Sequence, residues 1–244
     1  MSKAVAIIQA RMGSSRLPGK VLMNLVGATV LDRVLNRLGR SSLIDQVLVA
    51  TTTEPVDDAI VEHCERNCRN VFRGSELDVL DRYYRAARFA NASIVVRITS
   101  DCPLIDPEVT DATIRAFLDQ RADYASNFRV RTYPRGLDTE VMTVHTLERA
   151  WRESTKPHQR EHVTPYIYEN PAEFKLHGIE NDVDCSQHRW TLDTPEDLQL
   201  LREVYAGFGG RDDFGWLQAL GLVEREPGLA DINRHIAQKA VHEG

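Results

Sequence analysis

No apolar run in this chain approaches the ~18 residues needed to span a bilayer, which argues against a membrane-embedded protein. The opening Met1-Ser2-Lys3 leads straight into a strand-like run instead of a signal peptide. Cysteine is scarce: Cys64, Cys68, Cys102 and Cys185 lack the spacing of a secreted disulfide framework. The expectation is therefore a cytoplasmic protein with reduced thiols. Positive charge is not in excess, since the formal net charge is −6, and this counts against a general nucleic-acid binder. Two nucleotide motifs are also missing. No G-x-G-x-x-G occurs, and a Walker A loop fails on spacing. Five residues, not four, separate Gly13 from Gly19, and Val21 follows Lys20 where Ser or Thr is required. There is no internal repeat and no low-complexity segment. A chain of 244 residues is long enough for one sizeable core.

Against this background one stretch stands out. Gln9-Ala10-Arg11-Met12-Gly13-Ser14-Ser15-Arg16-Leu17-Pro18-Gly19-Lys20 follows the apolar run Val5-Ala6-Ile7-Ile8. Three fixed cations, two hydroxyls and two glycines thus occupy the turn that leaves a buried strand. Ligands of α/β sheets sit at the carboxyl ends of strands. Glycines let backbone N–H groups approach oxygens while Arg and Lys neutralise them. The natural guest is a polyphosphate.

Periodicity organises the rest. Strands are expected over residues 5–10, 47–50, 71–72 and 94–98. Between them, Thr29 caps a helix with the face Leu31, Val34, Leu35 and Leu38. Further helices cover 57–68 and 78–90, and another opens at Pro107-Glu108. This alternation implies right-handed βαβ units and a parallel sheet, an α/β fold. After Asp123 the rhythm changes, with strands expected over 139–144, 174–179 and 189–192 and helices over 147–152 and 161–168. Thr194-Pro195-Glu196-Asp197 is a helix start. Gly207 to Gly210 breaks the chain, so residues 1–206 read as one α/β domain. Residues 207–244 read as a helical extension carrying Phe214, Trp216, Leu217 and Leu220 that packs on the body or on a partner.

Four further segments carry candidate chemistry. Asp101, in Ser100-Asp101-Cys102-Pro103-Leu104, follows a strand and faces the edge of the first loop; it reads either as a turn cap or as a metal ligand. Asp193 precedes the Thr194 helix start and reads as a cap or as a second ligand. Two hard carboxylates plus nucleotide phosphates suit Mg²⁺. Arg73 follows another strand, where it could meet a pyrimidine or a triphosphate, or pair on the surface with Glu76 or Asp81. Arg135, Asp138 and Glu140 form a charged loop-to-strand segment in which Asp138 and Glu140 share a face. His158-Gln159-Arg160-Glu161-His162 matches a zinc-hydrolase pattern, but Pro157 and Pro165 leave room for only about two turns. Cys64 and Cys68, four apart on a helix, read as buried thiols, and Cys102 suits a soft metal rather than Mg²⁺.

The run from Ala10 to Lys20, A-R-M-G-S-S-R-L-P-G-K, resembles the signature of sugar-activating nucleotidyltransferases. The likeness is greatest to the cytidylyltransferases that make CMP-sialic acid and CMP-KDO, and within them to the spore-coat-polysaccharide branch. It extends with interruptions from about Val5 to about Leu201. The resemblance implies a Rossmann-like three-layer sandwich with a mostly parallel, mixed central sheet, the nucleotide-diphospho-sugar transferase type. It implies Mg²⁺-dependent transfer of CMP from CTP to a sugar acid or related acceptor, with release of pyrophosphate, for surface polysaccharide. Ser100 to Leu104 is similar to a family G-D-x-P-L segment, with Ser100 in place of Gly, and D-T-P-E-D-L from Asp193 is similar to the late motif; Asp101 and Asp193 would be the metal ligands. Arg16, Lys20 and Asp101 would be catalytic. Ala10, Arg11, Gly13, Ser14, Arg16, Lys20, Arg73 and Asp101 would contact the nucleotide, and Arg135, Asp138 and Glu140 the acceptor. The expected partners are CTP, a small anionic acceptor and a second copy of the chain, with no nucleic acid and no membrane. Two rival readings stand beside this one. A glycosyltransferase using a nucleotide-sugar donor would also want a strand-end carboxylate and metal, but not three cations for a leaving pyrophosphate. A non-catalytic nucleotide-binding protein would not need both Asp101 and Asp193.

Overall fold

The computed structural model describes residues 2–237. The apolar runs form the strands expected of them, β1 (Ala4–Gln9), β4 (Gln46–Thr52), β5 (Val71–Gly74) and β6 (Ile94–Thr99), and a short hairpin that the pattern did not signal, β2 (Asn24–Leu25) and β3 (Ala28–Thr29), lies between the first two. Helices α1 (Val30–Leu38), α2 (Asp58–Arg66), α3 (Val79–Phe89) and α4 (Pro107–Gln120) connect or follow them. Thr29 caps α1 through a reciprocal box with Asp32. Asp78 caps α3 by accepting from the Asp81 N–H. β1 pairs in parallel with β4 and β6, and β4 with β5. The second half adds β7 (Tyr124–Ser126), β8 (Glu140–Thr143) and β9 (Leu176–Gly178), giving one seven-stranded sheet of order β5-β4-β1-β6-β8-β7-β9. β8 runs antiparallel to both β6 and β7, so the sheet is mixed but mostly parallel. One face is covered by α1, α2 and α4 over Ile8, Val49, Ile98 and Val141. The other is covered by α3, α5 (Val144–Glu153), α6 (Pro157–His162) and α7 (Pro165–Glu169) over Ile7, Leu48, Val95 and Met142. Alternate residues of each buried strand therefore serve opposite layers.

Several expectations change. Residues 189–192 form no strand: they run extended, with a single bridge between Arg135 and Arg189. The helix expected over 161–168 is two short helices, α6 and α7, broken at Val163, whose φ is +75°. β7 and the β2–β3 hairpin have too few residues to show a period. Cys64 is buried but Cys68 is exposed, because the chain leaves α2 through a left-handed residue there. After α8 (Pro195–Gly207) come α9 (Trp216–Arg225) and α10 (Pro227–Asp231). Phe214, Trp216, Leu220 and Val223 join a third cluster with Leu104, Trp190, Leu192 and Tyr205, so this segment packs on the body. Arg33 and Arg37 fasten it, the first donating to the Gly210 carbonyl at 2.6 Å and the second to the Asp212 carbonyl at 3.2 Å.

Candidate active site

β1 and β6 lie side by side with Gln9 opposite Thr99, so the turns that follow them open at the same edge. The first turn is closed by a hydrogen bond from the Gly19 N–H to the Met12 carbonyl at 2.9 Å. Gly19 takes φ +72°, a left-handed conformation that glycine adopts without strain, and the chain then turns Lys20 inward. The second turn carries Asp101, whose Oδ1 accepts from Thr99 Oγ1 at 2.5 Å. The third participant comes from far along the chain. The Leu192 N–H donates to the Asp101 carbonyl at 2.8 Å, which lays residues 190–193 against the Asp101 turn. Gly136 makes room for that segment: a side chain there would meet the Trp190 backbone at 2.7 Å, and its φ is +109°.

Asp101 and Asp193, 92 positions apart, therefore face each other across one ammonium. Lys20 Nζ lies 3.3 Å from Asp101 Oδ2 and 2.9 Å from Asp193 Oδ1, and it also donates to the Leu192 carbonyl at 2.5 Å. Arg16 reaches Asp193 Oδ2 at 3.1 Å, and Arg189 reaches the same oxygen at 2.8 Å. Burial works against the Lys20 charge, but Asp101 and Asp193 outweigh it and hold its pKa above the ordinary value. Burial likewise opposes ionisation of Asp193, and Lys20, Arg16 and Arg189 overcome it, so that carboxyl titrates below the usual range. Basic and acidic side chains alternate through the centre. Arg16, Asp101 and Asp193 line a cleft of about 230 Å³, whose remaining lining is Thr99, Cys102, Arg135, Gly136, Asp138 and Thr191.

The other candidate residues divide. Arg135 and Asp138 line the cleft. Asp138 is clamped by both Nη atoms of Arg131, at 2.6 and 2.8 Å, and lies in the loop before β8 instead of on the strand. Glu140 does not reach the cleft: it is 2% exposed, ion-paired with Arg97 and hydrogen-bonded to Tyr124 at 2.7 Å. A carboxylate so enclosed serves the fold, and the expectation that Glu140 meets an acceptor is withdrawn. Arg73 donates to Asp58 at 2.6 Å and to the Thr52 carbonyl at 2.8 Å, which ties it to the turn after β4. Its surface partner is thus Asp58, neither Glu76 nor Asp81. Arg11 stays largely exposed, with Glu76 at 3.7 Å, while Ala10 is buried and Gly13 and Ser14 form the loop rim. His158 bonds Glu169 at 2.7 Å on a helix of only six residues.

Among the described residues no group of three His, Cys, Asp or Glu side chains converges to hold a metal. The donor set available to a hard cation is Asp101 and Asp193, which already gather positive charge between them; phosphate and water would complete such a shell. Sequence reasoning missed Arg189, Thr99 and Arg131. Arg189 sits in an extended segment without periodicity, and nothing in its neighbours signals that it will face Asp193.

A doubly covered sheet with a cation-bearing turn opposite two acids at its carboxyl edge defines a nucleotidyltransferase. Residues 5–211 match the family model described as "Cytidylyltransferase", and the chain belongs to that family. It is similar to the spore coat polysaccharide biosynthesis protein SpsF of Bacillus subtilis, 35% identical over 94% of this chain and 98% of that protein. It is also similar to the 3-deoxy-manno-octulosonate cytidylyltransferase of Chlamydia trachomatis, 28% identical over 84% of this chain and 83% of the enzyme. A solved structure of a cytidylyltransferase from Leptospira borgpetersenii superimposes with a TM-score of 0.91 at 36% identity, covering 98% of this chain and all of that one.

Proposed function

We propose that this cytidylyltransferase moves CMP from CTP to a sugar acid or a chemically related acid, releasing pyrophosphate, in the making of a surface polysaccharide. The observation that carries the reading is the convergence of Lys20, Arg16, Asp101 and Asp193 at one sheet edge. The likeness to SpsF and to an octulosonate cytidylyltransferase supports the acceptor class.

An acceptor oxygen attacks the α-phosphorus of CTP. A new O–P bond forms, the bond to the β-phosphate oxygen breaks, pyrophosphate departs and the acceptor's proton passes to water. Arg11, Arg16 and Lys20 neutralise the triphosphate and the charge that develops on the leaving group. Thr99 holds the Asp101 carboxylate, the Leu192 N–H holds the Asp101 carbonyl and Arg189 holds Asp193, so the geometry precedes the substrate. Arg135 adds a further cation to the cleft lining, suited to an acidic acceptor. Asp101 and Asp193 would hold Mg²⁺, which supplies charge neutralisation and a lowered pKa for an attacking oxygen. Positioning and charge are sufficient for this class of chemistry without a dedicated base.

Thermal-shift titration in the presence of Mg²⁺ tests the nucleotide assignment. CTP at a hundredfold excess over its Kd should stabilise the protein by about 2.7 kcal/mol through mass action, with ATP and GTP at equal concentration giving smaller shifts. Equal or larger shifts with a purine nucleotide would overturn it.

A further inference from the structure

The acids and cations of the cleft are backed by a buried polar network that reaches the C-terminal segment. Asp197, in the first turn of α8, is wholly buried. Its Oδ2 accepts from the Asp193 and Thr194 N–H groups at 2.9 and 3.0 Å, which is helix-capping chemistry. Its carboxylate also receives the guanidinium of Arg189, from Nε at 2.9 Å and Nη2 at 3.0 Å. The same Nη2 is the atom that meets Asp193 Oδ2 at 2.8 Å. Arg189 is thus held between a buried carboxylate behind it and the cleft carboxylate in front.

The far side of this network is closed by Asn233, which follows α10 and is 2% exposed. Its Nδ2 donates to Asp197 Oδ1 at 2.8 Å and to the Arg189 carbonyl at 2.9 Å, so one amide group grips both residues that orient Asp193. Asn233 lies 22 positions beyond the family match, which ends at residue 211. A segment beyond the family model's match therefore touches the support of the site within it.

We infer that Asn233 is a positioning residue: through Asp197 and Arg189 it fixes the direction of the Asp193 carboxylate, so the cleft is complete only when the C-terminal segment is docked. An amide suits this place because its two N–H donors satisfy a carboxylate and a carbonyl without adding a third charge to a buried Asp–Arg pair. Partners that orient a metal-ligating side chain typically change metal affinity or activity by roughly 10–100-fold when removed, although they never meet the substrate. This inference rests on the reading of Asp193 as a working group of the transfer reaction.

The test compares wild type with Asn233→Ala, which removes both donations, and Asn233→Ser, which keeps one hydroxyl donor. Two readouts are needed, and the first uses no substrate. Amide hydrogen exchange over residues 189–198 should quicken in Asn233→Ala, because the Asp193 and Thr194 N–H groups bond to the Asp197 carboxylate that Asn233 holds. Exchange in β1 and β6 should not change. The second readout is kinetic: kcat should fall about tenfold while the Kd for CTP stays within about twofold, and Asn233→Ser should lie between the two. Should Asn233→Ala fold poorly, the serine variant alone carries both measurements. Unchanged exchange, or quickened exchange with an unchanged kcat, would overturn the inference. So would parallel losses in kcat and CTP affinity, because a general loss of fold would produce them. A wild-type protein without transfer activity would instead sink the proposed function, while the exchange experiment would still judge the brace.

Discussion

At the scale of single residues, the site is an exercise in placing like charges safely. Two carboxylates brought together at a sheet edge repel each other, and Lys20 between them removes most of that cost. Its side chain is only 11% exposed, so it is not the surface lysine that its place in a polar loop suggests. Replacing it therefore has two consequences. Lys20→Ala and Arg16→Ala should each lower turnover at least tenfold, because a charge-assisted contact to phosphate is worth ~1.5–3 kcal/mol. Only Lys20→Ala should also lower the melting temperature of the free protein, since it leaves Asp101 and Asp193 facing each other with less compensation. Steady-state kinetics and thermal melting separate the two effects. Normal kinetics in both variants would mean that the loop does not hold phosphate. Glu140 shows the opposite use of charge. Its segment is as suggestive of function in the sequence as Arg135 or Asp138, yet Arg97 and Tyr124 absorb it into the sheet.

At the scale of elements, side-chain locks set how the helices meet the sheet. Asp111 on α4 receives both hydroxyls and one backbone N–H of Ser41 and Ser42, tying the turn after α1 to α4. Burial opposes ionisation of Asp111, but these hydrogen bonds outweigh it, and its pKa lies below the ordinary value of 3.8. The folded state thus favours the ionised form. The stability this provides is complete above about pH 4 and is lost as pH falls through the lower, folded pKa. Asp111→Asn should cost about 1.5–3 kcal/mol at pH 7 by urea denaturation. The gap to wild type should close below pH 3.8, and a gap that persisted there would show that shape, not charge, is what α4 requires. Elements with their own cap and period are legible from the amino-acid pattern alone: Thr29 with the Leu31 to Leu38 face, Asp78, and Thr194-Pro195 all begin helices at the expected positions. The pattern misleads where the local signal is weak. Trp190, Thr191 and Leu192 are β-prone, but the segment 189–192 is bridged only by Arg135, so it runs beside the sheet edge without joining it. That departure is what brings Asp193 to the cleft with Arg189 paired to it. The site is legible as a set of residue types at strand ends, whereas the partners behind it depend on packing that no spacing records.

At the scale of the molecule, an acidic chain with net charge −6 concentrates its useful cations in one loop and one cleft. Anionic nucleotides meet a locally positive edge on a protein that otherwise repels polyanions. The sheet supplies the edge, while the C-terminal segment, held by Arg33 and Arg37 and stacked through Phe208 and Phe214 at 4.0 Å, reaches round to the back of it. No helix among the described residues is long and apolar enough to cross a membrane. The central claim is that the Lys20–Asp101–Asp193 centre transfers CMP to an acid. Its most direct test is pyrophosphate release from CTP and Mg²⁺ across a panel of sugar acids and related acids, run with wild type and with Asp101→Asn. Wild type should release pyrophosphate in equal amount to a CMP-linked product for at least one acid. Asp101→Asn should lose this activity while retaining much of its CTP affinity. A panel in which a nucleotide-sugar donor reacts and CTP does not, or an Asp101→Asn variant as active as wild type, would contradict this assignment.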